Sequence, residues 1–171
     1  MSNILISIDP GLKTSGTGIA VFVDSDLRGV RYAPPLKGEF TLRARMNPVV
    51  SVINSVVDTL KPGDTLELVV EESFYQGTAN KMHLRFMGVL DYFFPTMDHI
   101  SPMTVKAKLG VSKLRADKTL PKKEQKEFLK HCVKKAVLDR LTVKDISPNI
   151  ACFEQDDVVD AVAIGLAYLG R

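Results

Sequence analysis

Residues 3–8 (NILISI) form a short, nearly unbroken apolar run rich in β-branched side chains, the pattern of a strand buried on both faces. Asp9 follows, and Pro10-Gly11 ends the pairing because proline has no N–H to give to a neighbouring strand. Residues 15–23 (SGTGIAVFV) read as an antiparallel return strand whose small residues admit a close backbone or ligand. Residues 29–33 and 38–42 read as a third strand interrupted by Pro34-Pro35, or as two short pieces of one edge.

Apolar spacing then changes from two to between three and four. Asn47-Pro48 has the chemistry of a helix start, and Val49, Val52, Ile53, Val56, Val57 and Leu60 continue on one helical face until Pro62-Gly63. Residues 65–70 (TLELVV) return to strand character and end in Glu71-Glu72. Residues 78–94 predict a helix with Met82, Phe86, Val89, Leu90 and Phe93 as core stripe, closed by Pro95. A short strand over 98–101, a small helix opening at Pro102 and a mobile, charged loop over 110–120 follow. From Pro121 a long helix is expected to bury Phe128, Leu129, Cys132, Val133, Ala136, Val137 and Leu141. The helix over 155–169 is apolar on most sides and must be deeply packed.

Strand, crossover helix and strand in that order make residues 3–9 and 65–71 parallel neighbours. Asp9 and Glu71 then lie side by side at the C-terminal ends of their strands, the edge where open α/β sheets build sites. The final helix brings Asp156, Asp157 and Asp160. Asp156 and Asp157 suit a first helical turn, whereas Asp160 stands among Val158, Val159, Ala161 and Val162, where an unpartnered carboxylate is expensive. Asp9, Glu71, Asp157 and Asp160 make an all-oxygen ligand set suited to Mg²⁺, with Mn²⁺ as substitute, rather than Zn²⁺. Two such ions about 4 Å apart are a recurrent device for in-line phosphodiester hydrolysis.

Charge sharpens this reading. Of the 23 Lys and Arg, 13 lie in residues 106–144 against four acids, a surplus of nine, while the rest of the chain carries an acidic excess of six. A positive patch on an otherwise acidic surface is the footprint of a polyanion partner. The 171 residues suit one domain, and no apolar run approaches the roughly 20 residues of a membrane span. Without a basic-then-apolar N-terminus the expected location is intracellular and cytoplasmic, with Cys132 and Cys152 as reduced, packed thiols.

Three blocks, Ile8-Asp9-Pro10-Gly11 with Gly18, Val70-Glu71-Glu72-Ser73-Phe74, and residues 157–164 (DVVDAVAI), make the chain resemble the RuvC-type Holliday junction resolvases of the ribonuclease H-like nuclease superfamily. The resemblance implies a five-stranded mixed sheet flanked by α-helices, and a homodimer with two active sites. It also implies symmetric, Mg²⁺-dependent nicking of four-way DNA junctions. It assigns Asp9, Glu71, Asp157 and Asp160 as metal-binding acids. Glu71 is preferred to Glu72 because Phe74 then matches an aromatic near the junction centre. Lys106 and Lys123 match phosphate-contacting lysines, and the longer, more charged segment holding Lys113, Arg115, Lys118 and Lys122 implies a modified DNA-binding surface. Alternative readings are a ribonuclease H-like enzyme acting on RNA or other branched nucleic acids, and a non-catalytic nucleic-acid-binding module of the same fold.

Overall fold

The first apolar run forms the centre of a sheet. In the computed structural model, which describes residues 1–11, 16–34, 41–72, 81–114 and 117–171, β1 (Asn3–Asp9) pairs antiparallel with β2 (Thr17–Val23) and parallel with β4 (Thr65–Glu71). β3 (Asp26–Ala33) adds antiparallel to β2, and β5 (Asp98–Ile100) adds parallel to β4. The five-stranded mixed sheet has the order β3-β2-β1-β4-β5. A tight turn joins β2 to β3, with Asp24 and Ser25 at φ 51° and 71°, the positive angles that match hairpin twist.

Side-chain alternation divides the core. Ile6, Ile8, Ile19, Leu68 and Val70 face α1 (Leu42–Val57) and α2 (Lys81–Phe93), packing with Val49, Ile53, Phe86 and Leu90. Leu5, Ala20, Phe22 and Val69 face α6 (Asp156–Tyr168), whose residues 161–167 are all buried. α4 (Lys122–Leu138) covers α6 from outside through Val133 and Val137. Such burial at about 25 cal/mol per Å² of apolar surface is the main force holding the layers together. At its far end α6 is tied to the sheet by the Tyr168 hydroxyl, which donates to Asp98.

Several expectations change. α1 begins at Leu42, capped by the Thr41 hydroxyl, which accepts from the Ala44 N–H at 3.2 Å. Pro48 therefore lies inside the helix, and Asn47 is an exposed helical residue rather than a cap. Leu-Arg-Ala-Arg-Met are strong helix formers, and burial of Met46 beside Val49 extends the core stripe; together they outweigh the donor that Pro48 lacks. Thr41 and Leu42 consequently belong to no strand, and residues 38–40 lie outside the described set. The expected start of α2 and the Met82 side chain lie outside it too; Phe86 and Leu90 are buried as expected and Met87 joins them, whereas Phe93 is 61% exposed. Phe128 is likewise exposed, on the first half of α4 before that helix reaches the core. A short helix, α5 (Val143–Ile146), and a 3₁₀ segment (Ser147–Glu154) fill the stretch before α6. α3 (Pro102–Lys108) starts where Pro102 suggests, with Ser101 as its cap. Cys132 and Cys152 are free, partly buried thiols. Among the described residues no helix is long and apolar enough to cross a membrane.

Candidate active site

Strand register sets two of the carboxylates side by side. Asp9 pairs with Gly18 across β1 and β2, and Ile8 pairs with Val70 across β1 and β4, so Asp9 and Glu71 end adjacent parallel strands. By alternation Asp9 shares a face with Leu5 and Ser7, and Glu71 with Val69. That is the face covered by α6.

The other two carboxylates arrive on the first turns of α6. The Ser7 hydroxyl donates to the Ala161 carbonyl at 2.7 Å in a fully buried bond, and the Gly16 N–H donates to Asp157 Oδ2 at 2.9 Å. Gly18 makes the approach possible, because a Cβ there would stand 1.8 Å from the Asp157 carbonyl oxygen. Asp157 and Asp160, three residues apart, are thereby lowered onto the end of β1.

The electrostatics of the four are coupled. Burial raises the Asp9 carboxyl well above its ordinary range, and Asp160, Glu71 and Asp157, in that order, raise it further. Glu71 is raised to about 7, by burial and then by Asp160, while Lys106 opposes. Asp160 is raised to about 6 by burial and by Asp156 and Asp157, against the opposing pull of Lys130 and Lys106. Asp157 is also raised by burial, although the Gly16 N–H pulls it back. A cleft of about 230 Å³ opens beside them, lined by Glu71, Val105, Lys106, Val133 and Asp160.

Four partly buried carboxylates whose pKa values are raised by burial and by neighbouring acids are a costly arrangement unless a cation or protons compensate. The donor set, oxygen only, is that of a hard divalent ion. Among the described residues, however, no three such side chains are gathered closely enough to form a finished metal cage.

The sequence-predicted acids Asp9, Glu71, Asp157 and Asp160 thus come together, with Lys106 of α3 beside them. Lys113 and Lys118 are exposed in the segment between α3 and α4, and Lys122 and Lys123 are exposed in the first turn of α4. None of these four is among the groups that perturb the carboxylates. Phe74 and Arg115 lie outside the described residues. Sequence reasoning missed Lys130, whose Nζ donates to Asp156 Oδ2 at 2.5 Å. Asp156 and Asp157 stand in the first turn of α6 as expected; Gln155 is the capping residue, without a side-chain bond, and the Asp156 carboxylate pairs with Lys130 of α4. The spacing of Lys122, Lys126 and Lys130 was the available signal, a row of like charges on one helix face.

The chain matches no protein-family model and no curated protein sequence. Among solved structures it is similar to RuvC of Thermus thermophilus, with a TM-score of 0.60 at 20% identity over 98% of this chain and 93% of that one. The same protein in complex with a Holliday junction substrate gives 0.59 at 20% identity, covering 97% and 92%. The fold is that of RuvC. With the RuvC-like, ribonuclease H-like architecture in place, the mixed five-stranded sheet and its flanking helices agree with the expectation from sequence.

Proposed function

We propose that this chain is a divalent-metal-dependent endodeoxyribonuclease that resolves four-way and related branched DNA junctions by symmetric phosphodiester hydrolysis. One observation carries the reading: on a RuvC-like fold, Asp9, Glu71, Asp157 and Asp160 converge at the C-terminal edge of the sheet, with Lys106 beside them. Further support comes from the Thermus thermophilus protein of the same fold, which has been seen with a Holliday junction substrate.

Asp9, Glu71, Asp157 and Asp160 are the residues that would hold Mg²⁺ or Mn²⁺, two ions per site. When bound, the metal supplies positive charge to a phosphodiester and to the water that attacks it. The chain's own residues supply the rest. Partial burial of Asp9 and Asp160 lowers the local dielectric and strengthens the charge interactions there. In the metal-free chain Glu71 titrates near neutrality, so binding of the ions would release its proton and leave the carboxylate as ligand. Lys106 brings a fixed positive charge to the same cleft, where the anionic backbone would lie. Symmetric cleavage requires two such sites, so the functional form proposed is a homodimer.

The test is a panel of four-way junction, three-way junction, duplex and RNA–DNA hybrid under one set of Mg²⁺ conditions. The expected result is paired nicking of the four-way junction, abolished by Asp9→Asn, Glu71→Gln and Asp160→Asn while junction binding persists. Cutting at the wild-type rate by Asp160→Asn overturns the site, and preferential cutting of the hybrid overturns the substrate.

A further inference from the structure

Lys130 stands where α4 crosses the start of α6, with its ammonium on the Asp156 carboxylate at 2.5 Å. It acts electrostatically on both Asp157 and Asp160, so its charge lies at the rim of the four-carboxylate site. The two partners are 35% and 53% exposed, and ion pairs this accessible contribute little to stability. The pair is easily opened.

Lys130 also belongs to a row. Lys122, Lys126, Lys130 and Lys134 stand four residues apart on α4, about 6 Å of rise between neighbours, beside the buried Val133 and Val137. Like charges at this spacing oppose helix formation, and Lys122 and Lys123 sit at the positive end of the helix dipole. Pro121 at that end provides no side-chain hydrogen bond, and Glu124 is the single acid in that turn against Lys122 and Lys123. Glu124 and Glu127 offset part of this repulsion, but four lysines at this spacing exceed what helix stability calls for.

We infer that Lys130 is a phosphate-binding lysine parked on Asp156 in the free protein and transferred to a backbone phosphate of the bound nucleic-acid strand, with the α4 row guiding that strand to the carboxylates. The inference rests on the nuclease reading above and names a contact on the path of its substrate. Asp156 is then a competitor for Lys130 as well as its holder. The two residues should have opposite effects on binding, which a purely structural ion pair would not produce.

The experiment measures binding of the full chain to a fluorescent four-way junction over a salt series with Ca²⁺ in place of Mg²⁺, with melting temperature recorded for each variant. Lys130→Gln should weaken binding about fivefold and lower the log–log salt slope by about 1, whereas Lys130→Arg should keep the slope. Asp156→Asn should bind several-fold more tightly. Lys135→Gln, the same charge change on another face of α4, should match wild type. Unchanged affinity and slope in Lys130→Gln, with wild type binding normally, overturns this inference alone. Weakening by Asp156→Asn in step with a lowered melting temperature overturns it too, assigning the pair to structure. A wild-type chain that binds no junction overturns the nuclease reading and this inference with it.

Discussion

Gly18 passes directly beneath the backbone of Asp157, so close that a Cβ on Gly18 would come within 1.8 Å of the Asp157 carbonyl oxygen and 2.4 Å of its carbon. Backbone cannot rotate aside as the tip of a side chain can. Since Gly18 is also the cross-strand partner of Asp9, this contact sets the height of α6 above the end of β1. Gly18→Ala should force the first turn of α6 away and cost about 1–3 kcal/mol, as overpacking does. In a chain of this size that lowers the melting temperature by about 2–4 °C per kcal/mol. Cleavage should fall much further than stability does, because Asp157 and Asp160 move with the helix. A variant that melts lower and cuts normally would separate Gly18 from the site.

Ser7 fixes the same approach by attraction. Its buried hydroxyl donates to the Ala161 carbonyl, one residue beyond Asp160, from a position two residues before Asp9 on the same face of β1. Ser7→Ala leaves a buried carbonyl without this donor and should cost about 1–2 kcal/mol in urea unfolding. The expected kinetic signature is a lower kcat with unchanged junction affinity, since the lysines are untouched. An equal loss of affinity would mean that Ser7 supports the whole face rather than the carboxylates.

These two residues mark what was legible in the chain and what was not. The runs around Ile6, Val69 and Val162 are continuous and apolar enough to specify β1, β4 and α6, and an aspartate amid valines at position 160 signals a site at once. The smallness of Gly18 was noticeable, but its partner lies 139 positions away in α6. Asn47-Pro48 mimicked a helix start because local capping chemistry was legible, whereas the burial of Met46 that extends α1 backward depends on the assembled core. Phe93 and Phe128 fit helical stripes, yet the register of helix against sheet, a tertiary property, leaves both exposed. The Lys130–Asp156 pair escaped for the same reason: each looked locally like an ordinary surface or first-turn charge.

The raised carboxylates make stability depend on pH with a definite sign. Glu71 at about 7 and Asp160 at about 6 hold protons in the folded chain that the unfolded chain releases nearer 4.5 and 3.8. Between these values the native state binds more protons, so stability falls as pH rises. At about 1.4 kcal/mol per pKa unit the metal-free protein should be more stable at pH 5 than at pH 8 by a few kcal/mol. The low-pKa carboxylates Asp64 and Asp117 act in the opposite sense only below this window. Calorimetry in EDTA is the measurement. Glu71→Gln and Asp160→Asn should each flatten the profile, and saturating Mg²⁺ should raise the melting temperature more at pH 8 than at pH 5. A metal-free profile that rises from pH 5 to pH 8 would contradict the burial of these acids.

Lys106 and Lys108 occupy the same last turn of α3, where any cation is favoured by the helix dipole. Only Lys106 acts on the site, lowering Glu71 and Asp160 against the burial that raises them. Lys106→Met should therefore move both carboxyls upward and carry the acid limb of the cleavage pH profile to higher pH, with weaker junction binding. Lys106→Arg keeps the charge and should hold the limb in place, though a planar guanidinium is an imperfect substitute for a compact ammonium. Lys108→Met removes the same charge from the same helix end and should leave the limb where it is. If the two methionine variants shift the profile alike, the effect belongs to the end of α3 and not to the position of Lys106 beside the carboxylates.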